Sequence, residues 1–230
     1  ANAIIGAAYG SAGERCMAIS VVVAVESVAD ELCGLLTKKA QSLRIGPGNE
    51  PENEMGPLIT DDHKNKVIDY IQQGEDAGAT ILLDGRDHEV TSKPGFFLGP
   101  TLFDHVNPEM RIYKEEIFGP VLVVLRVKDF NAAIKLANEH QFGNGVAIFT
   151  NQGSKAREFV HSVEVGMVGI NVAIPVPLSF YTFGGWKDSI FGSSNIYGMD
   201  GIRFFTRTKT VTARWVEDDG SINLSMPTVK

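Results

Sequence analysis

The amino-acid sequence predicts an α/β fold, in which a mostly parallel sheet is flanked by helices and followed by a C-terminal β-strand arm. Strand-like and helix-like segments alternate in the second half of the chain, as is typical of parallel strands joined through helices. These segments are strands at 121–127, 146–150 and 167–172 and helices at 130–139 and 154–162. The chain has 230 residues, of which 43% are hydrophobic, enough for a sizeable core.

The first half of the chain supplies further elements. An alanine-rich run at 3–9 predicts a helix, and the unbroken β-branched run at 18–25 predicts a strand buried on both faces. A helical stripe follows at Leu32, Leu35, Leu36 and Ala40. Thr60 then begins a helix with two aspartates in its first turn, and residues 79–83 predict a short strand.

The C-terminal part changes character after residue 173. Residues 174–201 are dense in Pro, Gly, Ser and aromatic residues, which predicts a long loop. Residues 202–216 alternate apolar and polar side chains, which predicts an arm-like strand. We therefore expect one domain over 1–201, an oligomerisation strand over 202–216 and a polar tail over 217–230.

Charge and cysteine content exclude several classes of protein. The net charge is −7 with no compensating basic run, so we expect no nucleic-acid partner. The five histidines show no metal-ligand spacing, so we predict no metal site. Two cysteines do not make a disulfide framework and favour a reducing compartment, the cytoplasm or a mitochondrial matrix. No apolar run is long enough to span a membrane, so we expect no membrane partner.

Cys16 is the first candidate for chemistry. It follows Arg15 and lies close to Gly13, so positive charge and close backbone approach could serve a reactive thiolate. A buried small side chain ahead of a strand is the alternative, and the residue pattern alone favours it. Cys33 lies in the stripe of the following helix, where packing is the preferred interpretation.

Two downstream segments are also candidates. The first, "KEEIFGP" (114–120), puts Glu116 and Phe118 ahead of a buried strand, where a carboxylate could bind ribose hydroxyls and a ring could pack on a flat ligand. A solvated acidic turn is its simpler interpretation. The second, "TFGGWKDS" (182–189), has paired glycines that suggest close approach to a ligand or to another chain segment.

These segments together resemble the aldehyde dehydrogenase superfamily. "GERCMA" (13–18) resembles its nucleophile motif, "EEIFGPV" (115–121) its second signature and "FGGWKDS" (183–189) its third, in the order found in the family. The Pro-Val-Pro run at 175–177 and "SIFG" at 189–192 are similar to the branch that oxidises malonate-type semialdehydes and acylates coenzyme A. The resemblance covers essentially the whole chain, but only the later, catalytic-domain part of such an enzyme.

The resemblance implies a role for each matching residue. Cys16 is the implied nucleophile, and its backbone N–H would stabilise the oxyanion. Arg15 would pair with the substrate carboxylate, or else act only as a nearby charge. Glu116 would hold the nicotinamide-ribose hydroxyls, and Phe118 would flank the nicotinamide. The implied cofactor is NAD. The implied partners are coenzyme A as co-substrate and a small carboxylated aldehyde, with propionyl-CoA or acetyl-CoA formed by decarboxylation.

Departures from the family leave alternatives open. The dinucleotide-binding domain, the glutamate active in proton transfer and an oxyanion-site asparagine precede the nucleophile in the family and have no counterpart in these residues. We therefore expect no NAD-dependent turnover from these 230 residues alone. The alternatives are a hydrolytic dehydrogenase that releases a free acid, or a non-catalytic module that assembles as a homo-oligomer through its last strand.

Overall fold

A four-stranded sheet with helices packed against it forms the centre of the fold in the computed structural model, which describes residues 1–213 and 215. Its helices are α1 (Asn2–Tyr9), α2 (Glu26–Gln41), α3 (Asp61–Asp76), α4 (Arg111–Lys114), α5 (Phe130–Glu139), α6 (Gly153–Ser162) and α7 (Gly198–Phe205). Its strands are β1 (Val21–Val25), β2 (Thr80–Leu83), β3 (Thr101–Asp104), β4 (Val121–Val127), β5 (Phe142–Gly143), β6 (Gly145–Ile148), β7 (Met167–Ile170) and β8 (Trp186–Lys187).

The central sheet has the strand order β1-β4-β3-β2. Strands β1 and β3 both run parallel to β4, with Val21 opposite Val123 and Thr101 opposite Val121, whereas β2 is antiparallel to β3. Two small sheets follow, the antiparallel pair β5–β8 and the parallel pair β6–β7. The predicted α/β class with mainly parallel pairing is confirmed.

The core lies around β3 and β4, where Phe103, Leu122 and Val124 are completely buried. Helix α1 joins this core through Tyr9, whose hydroxyl donates to the Thr101 carbonyl at 2.9 Å. A buried tyrosine needs such a partner for its hydroxyl. This bond fixes the end of α1, from which the loop carrying Cys16 departs.

Local sequence signals explain the start of α3 but not the burial of β1. The Thr60 side chain accepts from the backbone N–H of His63 at 3.1 Å, which confirms the predicted N-cap. Strand β1 was expected to be buried on both faces, but only Val22 and Ala24 are buried. The reason is position, because β1 lies at an edge of the central sheet among the described strands.

The predicted strand arm over 202–216 is wrong for residues 202–213, none of which lies in a strand. Residues up to Phe205 belong to α7, and residues 206–213 form no strand. Gly201, the last residue of the predicted loop, lies inside α7, and a Cβ there would lie 2.5 Å from the Ile196 carbonyl oxygen, so the close packing at this position requires glycine. Residues 214 and 216 and the predicted tail lie outside the described residues. Self-association through this segment stays a prediction.

Within the part of the chain that the structure describes, no helix combines the length and the apolar character needed to cross a membrane.

Candidate active site

The Cys16 loop begins with a tight turn in left-handed conformation. Ser11, Ala12 and Gly13 have φ values of 53°, 54° and 72°. A non-glycine residue in this region costs about 1 to 2 kcal/mol, so tertiary contacts must stabilise the turn. The turn leads to Arg15 and Cys16, which are both exposed. The structure therefore presents the predicted nucleophile to solvent rather than burying it as a packing residue.

Arg15 lies beside this turn. Its Nε donates to the Ser11 hydroxyl at 2.9 Å, and a Cβ on Gly10 would stand 3.0 Å from its Nη1. The side chain is thus held across Gly10 while the guanidinium stays exposed. A guanidinium in this state can bind an incoming carboxylate through two parallel N–H donors.

Cys33 lies in a different environment. It is buried in α2 with 5% exposure. Burial raises the pKa of its thiol, and the neighbouring Asp104 carboxylate raises it further. A thiol in such surroundings is a poor nucleophile, which agrees with the packing role predicted for it.

The Cys16 loop packs directly on the segment that carries Glu116. A Cβ built on Gly13 would lie 2.2 Å from the Gly119 carbonyl oxygen, so the two backbones touch with no side chain between them. Ile117 anchors the second segment in the core with 3% exposure. The structure therefore brings together the first two predicted motifs, which are about a hundred residues apart in sequence.

Glu116 and Phe118 both face outward from this turn. Glu116 is exposed, and among the described residues it forms no hydrogen bond or ion pair. Phe118 is 39% exposed and has a φ of 57°. Glu115 differs from Glu116, because it accepts from the Tyr70 hydroxyl at 2.6 Å and from Arg111 Nε at 2.7 Å. Of the two adjacent carboxylates, only Glu116 is available to a ligand.

His63 and Glu14 lie where α3 meets both segments. The His63 Nε2 atom is 2.7 Å from the Phe118 carbonyl oxygen and 3.5 Å from Glu14 Oε1. Burial raises the pKa of the Glu14 carboxyl, although a backbone N–H at Ile59 and the charge of His63 counteract this. Sequence reasoning missed both residues, since nothing local in the chain connects residue 63 to residue 118.

Asn144 holds the nucleophile from its other side. Its Nδ2 donates to the Cys16 carbonyl at 2.9 Å and lies 3.1 Å from Met17 Sδ. The third motif packs behind it, since a Cβ on Gly185 would lie 3.0 Å from the Asn144 Cα. The paired glycines thus approach another chain segment, one of the two predicted possibilities. Sequence analysis missed Asn144, and its place between two glycines was the only local signal.

Comparison with known proteins identifies this arrangement. The sequence pattern of the Aldehyde dehydrogenase family matches residues 1–211. The chain belongs to the aldehyde dehydrogenase family. The resemblance that the three motifs suggested is therefore confirmed.

Individual relatives in the family are more specific. The chain is 53% identical over 216 residues to the malonate-semialdehyde dehydrogenase of Pseudomonas aeruginosa. A crystal structure of methylmalonate-semialdehyde dehydrogenase from Oceanimonas doudoroffii is 51% identical with a TM-score of 0.90, over 94% of this chain and 45% of that one. A putative methylmalonate-semialdehyde dehydrogenase from Sinorhizobium meliloti, complexed with NAD, is 49% identical with a TM-score of 0.91, over 96% of this chain and 45% of that one.

The chain is shorter than these relatives. The match covers 93% of this chain but 44% of the Pseudomonas aeruginosa protein. The chain thus spans somewhat less than half the length of the curated relative it matches.

Proposed function

We propose that this chain contributes the nucleophile and part of the nicotinamide site of an NAD-dependent, CoA-acylating methylmalonate- or malonate-semialdehyde dehydrogenase. One observation carries the proposal: the loop that bears the exposed Cys16 packs, through Gly13 and Gly119, on the turn that bears the exposed Glu116 and Phe118. The names of the relatives support the choice of a semialdehyde substrate.

Cys16 provides the covalent chemistry. As a thiolate it attacks the aldehyde carbonyl carbon, and the carbonyl electron pair moves onto oxygen to give a thiohemiacetal oxyanion. The backbone N–H of Cys16 donates to this oxyanion. Asn144 supports the geometry, because it binds the Cys16 carbonyl and so fixes the peptide on the opposite side of the residue. Departure of hydride from the carbon leaves a thioester on Cys16.

Glu116 and Phe118 suit the cofactor that accepts this hydride. The unpaired Glu116 carboxylate can accept hydrogen bonds from ribose hydroxyls, and the half-exposed Phe118 ring offers a flat apolar surface. Both lie on the turn that touches the Cys16 loop. NAD, when bound, supplies the hydride acceptor. The chain's own residues orient its nicotinamide end and exclude water from one face of it.

Arg15 recognises the carboxylate of the substrate. Its exposed guanidinium lies next to the nucleophile in sequence and is steadied by Ser11. A carboxylate bound there places the aldehyde carbon of a three-carbon semialdehyde beside residue 16, because the two groups are only two bonds apart. Recognition by Arg15 therefore selects malonate-type aldehydes over uncharged ones.

Coenzyme A completes the reaction as a co-substrate. Its thiolate attacks the thioester carbonyl, the bond to Cys16 breaks, and the Cys16 thiolate is released. In the β-carboxy thioester, the bond to the carboxylate breaks, its electron pair moves into the thioester carbonyl, and CO₂ leaves. Protonation of the α-carbon then gives acetyl-CoA from malonate semialdehyde and propionyl-CoA from the methylated substrate.

The test uses a chimera in which this chain replaces the matching 216-residue segment of the Pseudomonas aeruginosa relative. The chimera is given malonate semialdehyde, NAD and coenzyme A, while NADH absorbance and acetyl-CoA mass are followed. We expect NADH and acetyl-CoA in equal amounts and neither from the Cys16→Ala variant. The Arg15→Gln variant should show a KM at least about tenfold higher for malonate semialdehyde, with propanal turnover unchanged.

Two results would reject the proposal. Free acid as the product despite coenzyme A indicates a hydrolytic dehydrogenase. No turnover, together with equally slow alkylation of Cys16 and Cys33 by iodoacetamide in the 230-residue chain, indicates a non-catalytic module. Peptide mass spectrometry distinguishes the two thiols.

A further inference from the structure

The His63 ring connects three segments that are distant in sequence. His63 lies in the first turn of α3, where its backbone N–H is bound by the Thr60 side chain at 3.1 Å. Its Nε2 contacts the Phe118 carbonyl at 2.7 Å and faces Glu14 Oε1 at 3.5 Å. A carbonyl oxygen and a carboxylate oxygen are both acceptors, so the ring must carry a proton on Nε2 to bind either of them.

Glu14, in the loop that carries Cys16, has a buried carboxyl group. Its side chain is only 7% exposed, and among the described residues its buried Oε1 has no hydrogen-bond donor. The Ile59 N–H bonds this carboxyl, but a buried oxygen left without a donor still costs about 1 to 3 kcal/mol, so Oε1 favours a polar hydrogen nearby. The only ring nitrogen that faces it in the structure's described residues is His63 Nε2.

Phe118 needs an external restraint. Its φ of 57° is left-handed, a conformation that costs a phenylalanine about 1 to 2 kcal/mol. The next residue, Gly119, is pressed against Gly13, so the turn cannot relax toward the Cys16 loop. The hydrogen bond from His63 reaches the carbonyl of the strained residue itself.

We propose that His63 is a positioning residue, which holds the Phe118 turn in its left-handed conformation against the Cys16 loop, and that Glu14 orients the His63 ring. Its consequence for catalysis rests on the function proposed above, in which Phe118 flanks the nicotinamide. The imidazole thus sets the position of a cofactor contact without touching the cofactor. Glu14 makes that position depend on the loop that carries the nucleophile.

The decisive test is hydrogen–deuterium exchange of the 230-residue chain, read by peptide mass spectrometry. The His63→Asn variant keeps a polar side chain that is too short to reach Phe118. We expect amide exchange in peptides covering 115–120 to become about tenfold faster, because the variant loses one well-placed hydrogen bond. The His63→Gln variant retains a donor of sufficient length and should exchange within about twofold of wild type. His161→Asn, on the exposed surface of α6, is the matched control.

The role of Glu14 is tested by a double-mutant cycle. Glu14→Gln should speed exchange in 115–120 about two- to threefold in the wild-type background and have no effect in the His63→Asn background, because both residues act through the same bond. Unchanged exchange in 115–120 in the His63→Asn variant overturns the proposal. So does faster exchange spread over all of α3, which would indicate general destabilisation.

A kinetic measurement in the chimera separates this inference from the proposed function. If the proposed function is correct, His63→Asn raises the KM for NAD about tenfold and leaves the KM for malonate semialdehyde within about twofold of wild type. His63→Gln should return the KM for NAD to the wild-type value. A chimera without acyl-CoA formation rejects the proposed function, whereas the exchange result still decides whether His63 holds the turn.

Discussion

Gly13→Ala tests whether the contact between the Cys16 loop and the Glu116 turn is as close as the structure shows. A methyl group there would lie 2.2 Å from the Gly119 carbonyl oxygen, whereas ordinary contact begins at 3.4 Å. The two backbones must therefore part by more than an ångström. The left-handed φ of 72° adds about 1 kcal/mol, and overpacking of this kind costs about 1 to 3 kcal/mol. We expect the free energy of unfolding to fall by about 2 to 4 kcal/mol.

Urea denaturation of the 230-residue chain measures this change. Gly6→Ala is the matched control, because Gly6 is exposed in α1 and a Cβ there meets no atom within 4 Å. That substitution should raise stability by about 0.5 to 1 kcal/mol, since alanine is the better helix former. In the chimera, displacement of the nucleophile by about 1 Å should lower kcat/KM about a hundredfold for Gly13→Ala only. A Gly13→Ala chain with the urea midpoint of wild type would refute the contact.

Two further predictions concern the support of the site and of the sheet. Asn144→Ala removes the donor to the Cys16 carbonyl, so kcat of the chimera should fall about fivefold while the KM for NAD stays unchanged. Steady-state kinetics measures both constants, and a rise of about fivefold in the KM for NAD would contradict this prediction. Burial alone would raise the pKa of Asp104, but hydrogen bonds from Arg126 and the His105 N–H hold it below its usual range. Its stabilising contribution is therefore present above pH about 4 and is lost as the pH falls through the folded-state pKa. Asp104→Asn should lower the free energy of unfolding at pH 7 by about 3 kcal/mol and reduce the loss of stability between about pH 4 and pH 2. Urea denaturation at pH 2 to 7 measures both effects, and the same loss of stability in the variant as in wild type would contradict the prediction.

Local signals in the sequence accounted for many of the elements. The predicted strand at 121–127 and helix at 130–139 coincide with β4 and α5, because a run of valine and leucine and a helical apolar spacing are properties of neighbouring residues. Strand β3 escaped prediction because its sequence, TLFD, is neither an apolar run nor an alternation of apolar and polar residues, although all four residues are buried. Residues 202–205 of helix α7 were mistaken for the start of a strand because the alternation of apolar and polar residues over 202–216 is typical of a strand.

The candidate site was predictable only where a residue type itself suggests chemistry. Cys16, Arg15 and Glu116 carry reactive or charged groups and stood out within their motifs. His63 and Asn144 act on backbone carbonyls of residues far away in sequence, at separations of 55 and 128 positions. Bonds of this kind depend on how the elements pack, so a single sequence does not show which residues form them.

The glycines of the three motifs lie at contacts between chain segments. Gly13 lies against Gly119, and Gly185 lies against the Asn144 backbone, so these residues remove side chains from segment-to-segment contacts rather than cradle a ligand. Each contact ends at the Cys16 loop, directly or through Asn144. Several of the residues by which the family is recognised in the sequence therefore allow three backbone segments to come into close contact. The chemistry then needs only a few side chains, whose positions are set by how closely those backbones meet.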